Sequence, residues 1–191
     1  MSGAGPSDPP LPSNRFAAGL LTVLRPVTAL ASIAGTIWIF VIMMLINADV
    51  AGTQALNAPV PGVPEIVAQS IVGIVFLQLA DAQQHGRLIR SDVFLTRILS
   101  RSPAGGRLLL SFHNLAGAVL MGLVCWFTLP RLINAWTNEE YVGTVGTFTF
   151  PLWPIAGIIV FSSALSAIYY LVFMTFPDYA RSVELEGSVH E

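Results

Sequence analysis

Four long apolar segments, separated by polar or proline-rich connections, limit the folds that this 191-residue sequence can adopt. The first, residues 27–47, carries no charged side chain. At about 1.5 Å per helical residue it matches the roughly 30 Å hydrocarbon core of a bilayer. Apolar residues make up 54% of the chain and charged residues 10%, against about 25% charged in a typical soluble domain. Because so short a chain cannot hide that much apolar surface from water, we predict an all-α integral membrane protein.

The membrane domain is expected over residues 20–176, with a short tail at either side. Its four transmembrane helices are predicted at about residues 27–47, 65–81, 108–130 and 151–176. A tail rich in proline, serine and glycine, residues 1–19, is expected to be disordered. An acidic tail follows the last span, residues 177–191.

The arginines are distributed unevenly among the connections, and the chain has no lysine. Of the nine arginines, only Arg131 lies in a loop on the side opposite the termini. The others precede span 1, lie between spans 2 and 3, or follow span 4. The positive-inside rule therefore predicts a multi-pass membrane protein with both termini in the cytoplasm.

Residues 87–101 predict an amphipathic helix between spans 2 and 3. On a helical wheel, three arginines fall within about 40° of one another: Arg90, Arg97 and Arg101. Three leucines fall on the opposite side: Leu88, Leu95 and Leu99. The segment is too short and too charged to span, so we expect it to lie on the cytoplasmic side of the bilayer, with leucines in the acyl boundary and arginines at anionic headgroups.

Asp92 lies among the apolar positions of this helix, and two interpretations stay open. An acid in the first turn is favoured by the helix dipole. Alternatively, Asp92 pairs with a group elsewhere, such as Arg107 or a residue of a partner subunit.

No arrangement of residues predicts catalysis, a cofactor or a metal ion. Glu65 and Asp81 bound span 2, and no aspartate or glutamate lies within any span, so no intramembrane carboxylate can relay protons or bind a cation. The three histidines are scattered, Cys125 is the only cysteine, and the known hydrolase, nucleotide and metalloprotease motifs are absent. The overall acidic charge also argues against nucleic-acid binding. The sequence predicts a supporting membrane subunit; the alternatives are a stand-alone membrane enzyme, a redox anchor or a scaffold in an unrelated complex.

Tryptophans and small residues indicate where the helices meet the interface and one another. Trp126, Trp136 and Trp153 lie near span ends, as interfacial anchors do, whereas Trp38 is expected to pack within span 1. Gly117 and Gly122 in span 3 would allow close helix approach.

Two stretches in this order resemble the small membrane subunits of TRAP transporters, the DctQ type. "GRLIRSDVFLTRIL" at 86–99 is similar to the segment after that family's second span, with Ile89 and Asp92 matching its isoleucine and acid. "EEYVGTVGTFTFPLWPIAGIIVFSSAL" at 139–165 is similar to the segment that leads into its fourth span. Leu88 replaces the family's usual histidine, and Ser91 an apolar residue, so any role of that histidine is not carried over.

The resemblance implies a sodium-driven importer of organic acids with three parts. A periplasmic protein binds the substrate, a large membrane subunit holds the sodium and substrate sites, and the small subunit stabilises the large one. Partner contacts are then expected at Asp92, and on the outer side at Glu139, Glu140, Tyr141, Pro151 and Trp153. For the two glutamates and the tyrosine, simple solvation of the loop is the other interpretation.

Overall fold

The computed structural model describes residues 15–58, 60–85, 103–143 and 149–176. These residues form α1 (Arg15–Leu56), α2 (Val63–Gln84), α3 (Pro103–Thr137), β1 (Tyr141–Val142), β2 (Phe150–Pro151) and α4 (Trp153–Thr175). Each of the four helices is long and apolar enough to cross a membrane, which confirms the predicted helical four-span class. The predicted interfacial helix, including Leu88, Arg90, Asp92, Leu95, Arg97, Leu99 and Arg101, lies outside the described residues.

Two helices extend well beyond the predicted spans because they continue through proline. Pro26 lies inside α1, which begins at Arg15 and so takes in part of the segment predicted as a tail. Pro130 lies inside α3, which continues to Thr137. Unpaired backbone groups are costly near lipid, and membrane helices tolerate a proline more readily than an early end.

Helices α2 and α4 form the centre of the molecule, with α1 packed on the outer side of α2 and α3 on the outer side of α4. At Gly35 of α1, an added Cβ would lie 3.3 Å from both Leu77 Cβ and Gln78 Cγ, so a small residue permits the close approach of α1 to α2. In the most apolar 18-residue stretch of α4, 39% of the residues are buried, against 6% in that of α3. The two outer helices therefore present most of their apolar surface to the surroundings.

The main hydrophobic core lies at the end of the molecule where α1 begins and α4 ends, here called the terminal end. All four helices contribute to it. The buried members of this cluster are Leu21, Leu24, Ala80, Leu110, Leu165, Tyr169, Val172 and Phe173. The opposite end, with the α1–α2 loop and the β-hairpin, is called the hairpin end.

Buried hydrogen bonds reinforce the terminal end. The side-chain oxygen of Gln84 accepts hydrogen bonds from Thr28 Oγ1 at 2.5 Å and from the Tyr169 hydroxyl at 2.7 Å. Next to it, Gln83 Nε2 donates to the Ser166 carbonyl at 3.4 Å. Hydrogen bonds between membrane helices contribute about 0.6 kcal/mol on average, so this group joins α1, α2 and α4 at the end where the core also lies.

Candidate functional site

At the hairpin end, α3 is closed by a left-handed turn at Glu139. Glu139 has a left-handed backbone with φ 49°, and the Glu140 N–H donates to the Ala135 carbonyl at 3.2 Å. This is the Schellman arrangement that closes many helix C-termini, usually with glycine at the left-handed position. A glutamate there carries a conformational cost, and the turn places two adjacent carboxylates directly after the helix.

A short β-ladder then returns the chain to α4. Tyr141 is paired with Pro151 and Val142 with Phe150, and the Leu152 N–H donates to the Glu140 carbonyl at 3.0 Å. These bonds fix the carboxylate-bearing turn against the start of α4.

An aromatic contact joins the two helices beneath the ladder. The rings of Trp136 on α3 and Trp153 on α4 meet edge to face, with centroids 5.1 Å apart and an interplanar angle of 81°. Such pairs contribute about 0.5–1.5 kcal/mol beyond the area they bury. The two tryptophans thus join α3 to α4 next to the turn and the ladder.

The turn, the ladder and the tryptophans enclose a cleft of about 480 Å³, here called the outer cleft. It is lined by Ala135, Trp136, Glu139, Glu140, Tyr141, Thr149, Pro151 and Trp153. The structure therefore brings together all five partner-contact candidates that the sequence placed on this side. The sequence predicts only an interfacial anchor at Trp136, because the predicted span ends at residue 130, whereas α3 continues to Thr137 and so brings Trp136 to Trp153.

The outer cleft has an unbalanced negative charge. No lining residue is basic, and neither Glu139 nor Glu140 has an ion-pair partner within the described ranges of the chain. Tyr141 is 52% exposed and Trp153 42% exposed, so the cleft is open at the surface of this chain.

A second concavity shares Trp136 and Trp153 with the first and is here called the apolar groove. Its volume is about 660 Å³. Three helices line it, through Trp38, Leu132, Ile133, Trp136, Thr137, Trp153, Pro154, Gly157, Ile158 and Phe161. Trp38, which is half-buried in α1, is one of these lining residues.

The described residues offer no metal-binding group of three or more histidine, cysteine, aspartate or glutamate side chains. Cys125 Sγ lies 3.8 Å from the Val160 carbonyl, where it serves as a small packing residue between α3 and α4. The described surface therefore has two concavities, one lined by acidic and aromatic residues and the other by apolar ones.

Comparison with known proteins adds one finding to this geometry. The model of the family described as "Tripartite ATP-independent periplasmic transporters, DctQ component" matches residues 42–175. The matched range runs from the second half of α1 to the end of α4. Neither the curated proteins nor the solved structures gave a significant match.

Proposed function

The chain belongs to the DctQ family of tripartite ATP-independent periplasmic transporters, as the sequence resemblance predicted, and from this premise we propose its specific task. It is the small scaffold subunit of a transporter that imports an organic acid with the sodium gradient. It stabilises the large transport subunit and carries no transport site of its own. The observation that supports this assignment best is the family match over residues 42–175.

The distribution of charge supports a scaffold role. Asp49, Glu65 and Asp81 lie towards the ends of their helices, and the apolar middle of each described helix has no acidic residue, whereas transport sites for cations within a membrane usually need one or several polar or charged groups there. The sodium and substrate sites then belong to the large subunit. With eight of the nine arginines on the side of the termini, the proposed orientation in the bacterial inner membrane has both termini in the cytoplasm and the hairpin end in the periplasm.

A reconstitution experiment tests this function. Proteoliposomes that hold this chain and the large subunit, with the binding protein outside, are offered a panel of labelled carboxylates. We expect uptake of at least one of them that requires an inward sodium gradient and stops when this chain is omitted. Uptake at an equal rate without this chain would contradict the scaffold role, and uptake indifferent to sodium would contradict the coupling.

The apolar groove is the proposed contact surface for the large subunit. Residues of α1, α3 and α4 line it, and its lining is almost entirely apolar. In lipid, apolar surfaces gain little from hydrophobic burial, so helices associate through close packing into concave surfaces of this kind.

Gly157 offers a matched pair of substitutions in this groove. An added Cβ would meet only Leu132 Cδ1 at 3.8 Å, which is ordinary van der Waals contact. Gly157→Ala is therefore expected to leave the recovery of co-purified large subunit unchanged. Gly157→Phe fills the groove and is expected to lower that recovery several-fold, while the thermal unfolding of the isolated chain stays close to that of Gly157→Ala. Equal recovery for both variants would show that the groove faces lipid instead.

A further inference from the structure

The hairpin end is acidic as a whole, beyond the outer cleft itself. Among the residues the structure describes there, the acidic ones are Asp49, Glu65, Glu139 and Glu140, and the basic one is Arg131. The net charge of this set is thus −3, whereas the described arginines at the terminal end are Arg15, Arg25 and Arg107. A surface of one sign raises the encounter rate with a surface of the opposite sign.

Within this acidic surface, the outer cleft has the composition of a cation site. Two carboxylates without ion-pair partners in the described chain line it together with the indole rings of Trp136 and Trp153. Indole faces attract cations through the ring quadrupole, and a carboxylate adds a charge-assisted hydrogen bond. The aromatic pair, the charge and the open volume of about 480 Å³ all favour the same ligand class.

We propose that the outer cleft receives an arginine side chain of the periplasmic substrate-binding protein. A guanidinium suits it better than an ammonium, because its plane stacks on an aromatic ring while its N–H groups form a fork to a carboxylate. This inference rests on the proposed function, since it names the chemistry by which the binding protein is recognised at the site that the transporter presents to it.

The test measures the affinity of the binding protein for the purified complex of small and large subunits in nanodiscs, at low and at high salt. The variant Glu139→Gln with Glu140→Gln removes both charges from the cleft and keeps the size of the side chains. We expect the Kd to rise by about tenfold or more, and its dependence on salt to become weaker.

The variant Asp49→Asn with Glu65→Gln is the matched control. It removes two charges from the same end but outside the cleft. The Asp49 Oδ1 atom that accepts a hydrogen bond from the Val60 N–H at 2.8 Å has an equivalent in asparagine. We expect a change in Kd of less than about threefold, as is typical of charges at the rim of an interface.

A charge reversal identifies the partner residue. Glu140→Lys is expected to abolish binding, and one arginine-to-glutamate variant of the binding protein is expected to restore it. If the unmodified complex binds but the Glu139→Gln, Glu140→Gln variant binds equally well, the cleft inference is overturned while the proposed function stands. If the unmodified complex binds no binding protein, the proposed function fails and the inference with it.

Discussion

Replacing Gly117 by alanine is expected to destabilise the packing of α3 on α4 by about 1–3 kcal/mol, the usual cost of overpacking. An added Cβ at Gly117 would lie 2.6 Å from Tyr170 Cε1, 2.7 Å from Cζ and 2.8 Å from Cδ1. These atoms belong to a rigid ring, so the ring or the helix has to move. At roughly 2–4 °C per kcal/mol for a chain of this size, the melting temperature of the purified protein should fall by several degrees.

Gly122, on the same helix, provides the control. An added Cβ there would meet no atom within 4 Å, so Gly122→Ala changes helix propensity by the same amount without a clash. We expect its melting temperature to equal or slightly exceed that of the unmodified protein. If both alanine variants melt at the same temperature, the described contact between α3 and α4 is not present in the membrane protein.

Reversing the charge of the proposed interfacial helix is expected to lower transport more than the Gly117→Ala substitution does. On the proposal that Arg90, Arg97 and Arg101 lie at the bilayer surface, their triple substitution by glutamate would replace three attractions to anionic lipid, each about 1 kcal/mol, with three repulsions. We expect the complex to loosen and uptake to fall markedly in the reconstituted system, measured as co-purified large subunit and as initial uptake rate.

The corresponding triple substitution by lysine keeps the positive charge and serves as the control, with assembly and uptake expected near normal. Normal assembly and uptake for the glutamate variant would argue against a helix held at the membrane surface by these arginines.

The number of spans could be predicted from the sequence because each apolar run is long enough to cross a bilayer and is bounded by charge or proline. The ends of the helices could not, since Pro26 and Pro130 normally mark ends in water, yet lie inside α1 and α3. A rule based on local chain geometry fails where the membrane penalises unpaired backbone groups.

Several residues of the outer cleft could be predicted from the sequence, but their arrangement in one cleft could not. Pro151 and Trp153 were candidates through the family resemblance, and Glu139, Glu140 and Tyr141 through their place in an outer loop. Their common location depends on the left-handed turn at Glu139 and on the pairing of Tyr141 with Pro151. Neither is visible in a sequence that has glutamate where such turns usually have glycine.

The hydrogen bonds of Gln84 with Thr28 and with Tyr169 also could not be predicted from the sequence. These residues are 56 and 85 positions apart from Gln84 in the chain, and no local pattern connects them. Only the parallel course of α2 and α4, with α1 on the far side of α2, brings them together.

Purification of this chain by a tag from the membranes of its natural host, followed by mass spectrometry, tests the central claim most directly. As the small subunit of a tripartite transporter, it should carry with it one large multi-span membrane subunit in stoichiometric amount. Recovery of the chain alone, or together with a haem- or quinone-binding partner in place of that subunit, would contradict the account.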